Sequence, residues 1–301
     1  MAAPPPYYTT QAALQAGHGD LATTIRQLSN MTIKLDGQFQ AVFSALKTEE
    51  MFDTSPTVPS NRWKDIRGIY TGLMWATRNA ATDLKSHTTE LVDIIIPAVA
   101  EPRAGKEDKI RVIQRFIDKP APSLLTSERA TQQIDQLKQQ IGPFIEEYKV
   151  GLEAKIAPVK EEIAKFKEAD DKQKAEKKKA EEASGGLFGF LHRRPPSIEL
   201  VDYESKIKRS EGNIEKWKQL SNDLDGYVRE ICTGLDTIPD RVGSAFSALW
   251  IHETEDAQHL RQIIEESPDG NVHDIDIAAG TYGLIKSALT YFATNVNNPG
   301  P

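Results

Sequence analysis

The chain has 301 residues, 39% hydrophobic and 27% charged, a polar balance that suits long helices with much of their surface in water. Its 37 basic and 44 acidic residues leave a net charge of −7, which argues against general nucleic-acid binding, because phosphate neutralisation needs concentrated positive charge. The single cysteine, Cys232, excludes an internal disulfide and a four-cysteine zinc site.

The opening "MAAPPPYYTTQ" lacks the basic and then apolar run of a secretory signal, so synthesis as a soluble cytosolic protein is expected, with export by another route left open. Residues 8–49 then carry Leu21, Ile25, Leu28, Met31, Leu35, Phe39, Val42 and Leu46 at spacings of three and four. That period predicts a helix, with a break allowed near Gly17 and Gly19. After the loop "DTSPTVPSN", Ser60 or Asn61 is expected to cap a second helix over 61–98, with Trp63, Ile66, Ile69, Leu73, Ala76, Ala80, Leu84, Leu91 and Ile95 on its apolar face. Pro97 should end it. The most apolar run, "LVDIIIPAVA" at 91–100, contains Asp93 and Pro97 and is too short for a membrane helix. A shorter helix is expected over 105–118.

From Ser123 onward, Ile134, Leu137, Ile141, Ile145, Tyr148, Leu152, Ile156, Val159, Ile163 and Phe166 step by three and four without a miss. Pro143 and Pro158 each remove a hydrogen bond and should bend this helix without ending it. Continued to Glu182, it would hold about 60 residues and measure roughly 90 Å. The pattern resumes with Tyr203, Ile207, Ile214, Trp217, Leu220, Leu224, Tyr227, Ile231, Leu235 and Ile238. Two such helices, each with one apolar seam, should fold back as an antiparallel hairpin. Cys232 falls within the second seam and reads as a small buried hydrophobe. Pro239 and Asp240 mark a new start, giving a helix over 241–266 with Val242, Phe246, Leu249, Trp250, Leu260 and Ile263. "SPDGNVHD" breaks the chain before a last helix, 274–295. No strand pattern competes, so the fold class is all-α: an elongated bundle of long antiparallel coiled-coil-like helices with a short apolar tip between the two longest. Residues 1–301 read as one domain, with a helical body over 8–166 and 207–296 and a tip region over 167–206.

Catalytic signatures are missing: there is no glycine-rich phosphate loop, HExxH, GxSxG or dinucleotide fingerprint. Neither an enzyme, nor a cofactor, nor a small-molecule substrate is expected. His252, Asp256 and His259 share one helix face and could hold a metal, but spaced polar residues on a helix surface arise constantly, and the surface reading is preferred. No metal is expected.

The stretch "EEASGGLFGFLHRRPPSIE", 181–199, is different in kind. Leu187, Phe188, Phe190 and Leu191 form an apolar knot between glycines and the pair Arg193 and Arg194. Over 165–210 there are twelve basic and nine acidic residues, so this end of the hairpin is positive in an acidic chain. Apolar side chains on a projecting turn need cover, which the protein's own body, a partner protein or lipid can supply. In the lipid case the rings would enter the acyl boundary while Arg193 and Arg194 met phosphate headgroups.

The long bundle, the apolar element between its two longest helices and the closing "AFSALWIHETEDAQHLRQII" together resemble the α-helical pore-forming toxins. This superfamily includes cytolysin A, haemolysin BL and the non-haemolytic enterotoxin components. The resemblance implies that residues 185–191 are a membrane-entering tongue, that Leu249, Trp250, Leu260 and Ile263 pack the C-terminal helix, and that protomers join as homo- or hetero-oligomers on a lipid membrane. One departure matters: the family's tongues are longer and more apolar. A five-residue knot can dock on a hydrocarbon layer about 30 Å thick but not span it, since spanning takes about 20 helical residues. The family precedent for spanning is an amphipathic N-terminal helix, here 8–49. A non-spanning component of a multi-protein toxin is implied as readily as a complete cytolysin. The competing expectation is an intracellular coiled-coil scaffold whose tip is a packed turn.

Overall fold

A computed structural model describes residues 7–50, 58–121, 127–184, 201–270, 272 and 275–296. The elements among them are all helical: α1 (Tyr7–Glu50), α2 (Pro59–Glu90), α3 (Ile96–Ala100), α4 (Lys106–Ile117), α5 (Ser127–Ser184), α6 (Tyr203–Val242), α7 (Ala248–Glu266) and α8 (Ile275–Asn295). The chain forms two compact units, one made of Met1–Ile141 and Tyr227–Pro301, the other of Gly142–Gly226.

In the larger unit α1 runs unbroken through Gly17 and Gly19. A mid-helix glycine costs only about 1 kcal/mol, less than a helix of this length gains from packing an apolar face. That face buries Leu21, Ile25, Leu28, Leu35, Phe39, Val42 and Leu46. Met31 is half-buried, and Thr32 takes its place in the core. Thr32 suits the position because its hydroxyl donates to the Ser29 carbonyl (2.8 Å) while its own carbonyl accepts the Tyr70 hydroxyl (2.8 Å). Phe39 stacks on Trp63 and Tyr70, with ring centroids 5.4 and 4.6 Å apart, and Trp63 Nε1 donates to the Phe39 carbonyl at 2.9 Å. Both polar aromatics are thus buried with their donors satisfied. Helix α8 packs against α1 and α2, and α4 against α7.

The start of α2 differs from expectation. Neither Ser60 nor Asn61 is its N-cap: the helix begins at Pro59, and the cap residue, Val58, offers no side-chain hydrogen bond. Glu50, at the end of α1, supplies the missing acceptor, taking the Ser60 backbone N–H (2.6 Å) and hydroxyl (2.8 Å). Burial pushes the Glu50 carboxyl up, yet the two Ser60 bonds and Lys47 outweigh it and hold the group below its usual value. The negative charge also suits the positive end of the α2 dipole.

Prolines interrupt less than the sequence suggests. Helical structure continues past Pro97 to Ala100, because a π-turn over Leu91–Ile95 shifts the pairing so that the Ile96 N–H reaches the Leu91 carbonyl before the proline arrives. Pro239 likewise lies inside α6, not at a new start, and α6 passes through a second π-turn, Gly243–Ser247, directly into α7. Pro143 and Pro158 lie inside α5. Farther along, two lysines of α4 hold the end of α7: Lys106 Nζ donates to the Glu265 and Ser267 carbonyls (2.7 and 2.9 Å), and Lys109 Nζ, fully buried, to the Gly270 carbonyl (3.2 Å). Cations there meet the helix's unsatisfied carbonyls and its negative dipole end. Gly270 has φ +69°, and a Cβ there would lie 3.0 Å from Lys106 Cβ. Gly234 of α6 gives room to Leu35 of α1, whose Cδ2 would be 2.6 Å from an added Cβ.

In the smaller unit, α5 and α6 pair antiparallel, as their seams predict. Lys149 meets Asp225 (2.6 Å), Lys167 meets Glu211 (3.0 Å), and the Phe166 and Tyr203 rings lie 6.1 Å apart, so partners advance along α5 as they retreat along α6. Ile145, Tyr148, Leu152 and Ile163 are buried on one helix, Ile214 and Leu224 on the other. Toward the connecting segment the seam is thinner, and Phe166, Tyr203 and Ile207 are only half-buried.

Candidate functional site

The proposed docking residues, Leu187, Phe188, Phe190, Leu191, Arg193 and Arg194, lie outside the described residues. Helices α5 and α6 flank them in the chain. Asp202 caps α6, its Oδ1 accepting the Ser205 N–H at 3.0 Å, and the Ser205 side-chain and backbone bonds hold its carboxyl below the usual range. Lys206 Nζ sits 5.5 Å from the Phe166 ring centre and 5.8 Å from that of Tyr203, a cation over two half-buried rings. On α5 several charges pair within one turn, Lys172 with Glu168 (2.6 Å) and Lys174 with Asp170 (2.7 Å), while Lys177, Lys178 and Lys179 are exposed. The charged run is therefore a solvated helix surface. Among the described residues no helix is long and apolar enough to cross a membrane.

His252, Asp256 and His259 lie on α7. Asp256 accepts the Tyr282 hydroxyl (2.5 Å), His252 Nδ1 is 3.8 Å from Glu255, and His259 is exposed. Among the described residues no group of three or more metal-ligating side chains is gathered. Cys232 is half-buried, and burial pushes its thiol up, which disfavours the reactive thiolate. Of the four residues assigned to pack the C-terminal helix, Leu249 is fully buried while Trp250, Leu260 and Ile263 are half-buried; Ala257 and Ile264 complete the inner face.

One polar cluster was not anticipated. Glu253 of α7 is 0% exposed and His87 of α2 is 7% exposed, with His87 Nδ1 2.5 Å from Glu253 Oε2. The other carboxylate oxygen meets the Thr88 hydroxyl, which also lies 2.9 Å from the Leu84 carbonyl. Phe116 of α4 stacks on the imidazole at 4.1 Å and Trp250 tilts against it at 4.3 Å. A signal for the cluster exists in the sequence. His87 and Thr88 occupy the apolar stripe between Leu84 and Leu91, and Glu253 the stripe between Leu249 and Ala257, so each helix places polar groups where periodicity demands burial. Both His87 and Glu253 are buried from solvent.

Comparison with known proteins gives no relative, since no family model, curated protein or solved structure matches the chain.

Proposed function

We propose that this all-α protein docks on lipid membranes through the segment connecting α5 to α6, in the manner of the helical pore-forming toxins, and oligomerises there. The observation that carries the reading is the antiparallel pairing of α5 and α6, which makes residues 185–200 the connection between two long helices. In that connection the sequence sets Leu187, Phe188, Phe190 and Leu191 beside Arg193 and Arg194, apolar groups for the acyl boundary next to cations for headgroup phosphate. Burying two phenylalanines contributes about 3 to 6 kcal/mol, enough for reversible adhesion, and oligomerisation multiplies it. The knot is too short to span, so the protein acts as a docking component, with perforation left to another segment or another chain.

Vesicle co-sedimentation tests this. The protein should pellet with anionic vesicles, less so as salt is raised, and the Phe188→Ser/Phe190→Ser variant should stay in the supernatant. Equal sedimentation of both proteins, or none with either, contradicts the reading; the latter favours the coiled-coil scaffold.

A further inference from the structure

We propose that the α5–α6 hairpin of the smaller unit pairs, antiparallel, with the hairpin of a second copy of this chain to close a four-helix bundle. Two helices alone do not cover their own seam. Ile156, Val159 and Phe166 of α5 and Tyr203, Ile207 and Trp217 of α6 lie on the apolar stripes yet are only half-buried. A seam shared among four helices buries such residues from all sides, whereas a single partner leaves a flank in water. The open flank runs along the hairpin: Ile156, Val159 and Trp217 belong to the half nearer Gly142 and Gly226, and Phe166, Tyr203 and Ile207 to the half nearer the connection.

Charge selects the occupant and its direction. Residues 142–164 and 211–226 hold five basic and nine acidic side chains, while residues 165–210 hold twelve basic and nine acidic, so one half of the hairpin is negative and the other positive. A partner of single sign would be drawn to one half and repelled by the other. A second copy carries both signs, and because the two halves almost cancel, copies meet without general repulsion. Parallel pairing would set like charge on like along the whole length; antiparallel pairing sets each positive half on a negative one. A two-fold axis near Ile163, the middle of the α5 arm, makes the two contacts identical, the self-complementary arrangement of the commonest dimers. The charges involved are at the surface: Glu153, Glu161 and Glu162 in one half and Lys177, Lys178 and Lys179 in the other are exposed. Such a dimer turns its two α5–α6 connections to opposite ends. It is therefore separate from side-by-side assembly on one lipid surface and rests on no part of the docking proposal.

Sedimentation equilibrium of the full chain, without lipid, tests the pairing. A dimer is expected in low salt, weakening as salt is raised. Lys177→Glu/Lys178→Glu/Lys179→Glu makes both halves negative and should raise the dimer Kd about tenfold or more, as should Glu153→Lys/Glu161→Lys/Glu162→Lys, which makes both positive. An equal mixture of the two variants should dimerise again. Spin labels at the exposed, uncharged positions Ala164→Cys and Ala175→Cys, each in a Cys232→Ser background, report the direction. Across the dimer the labels at 164 should lie closer than those at 175, which antiparallel pairing separates by roughly 35 Å along the axis. A monomer at about 100 µM in low salt, a Kd indifferent to both charge reversals, or equal label distances at the two positions overturns the proposal. Should a charge variant fail to fold, the labelled chains, whose charges are unaltered, decide.

Discussion

Tyr70 and Tyr282 show how single side chains tie the larger unit to its conditions. Burial pushes both hydroxyls far above the ordinary phenol range, Asp36 adding to it at Tyr70 and Asp256 at Tyr282, while Arg67 partly opposes it at Tyr70. An unfolded tyrosine releases its proton near pH 10, so above that value the unfolded chain holds fewer protons than the folded one. Stability is complete below pH 10 and falls as pH rises beyond it. In an alkaline titration followed by tyrosinate absorbance, the component removed by Tyr70→Phe and Tyr282→Phe should appear only as helical circular dichroism is lost. Its appearance on intact helix would contradict the burial described. At this scale the sequence was legible for apolar residues and not for polar ones. Leu28, Phe39 and Leu235 fall where their spacing puts them, fully or almost fully buried. His87, Thr88 and Glu253 were missed because apolar periodicity gives polar residues no weight, although their place on apolar stripes marked them.

At the scale of elements, helix ends and interruptions depend on partners distant in sequence. The N-terminus of α2 is satisfied by Glu50, ten residues before the serine it serves. Glu50→Ala should therefore lower stability by about 0.5–2 kcal/mol, the usual loss for a removed cap, whereas Asn61→Ala should change it little. Urea denaturation distinguishes them; equal effects would refute this account of the cap. The C-terminus of α7 likewise depends on Lys106 of α4. Such contacts are not visible in a local pattern, which is why a cap at Ser60 or Asn61 was the natural expectation. The π-turns were illegible for a related reason: each inserts a wider turn, and a proline read on its own signals an end to the helix.

Across the whole chain, class and hairpin were readable because heptad-like spacing persists through α5 and α6 for longer than chance patterns do, and the antiparallel pairing at Lys149–Asp225 and Lys167–Glu211 follows from two seams that need each other. Division into two units was not readable, since apolar spacing continues across Ile141 and Tyr227 without a change. The docking role depends on the segment 185–200. Its most direct measurement is an environment-sensitive fluorophore placed by Gly189→Cys in a Cys232→Ser background, which leaves Phe188 and Phe190 intact. On anionic vesicles the label should shift to the blue, as a probe does on entering the acyl boundary, while the same label at the exposed Leu284 does not. An unshifted label at position 189 on vesicles that carry the protein, or equal shifts at both positions, would contradict docking through this segment.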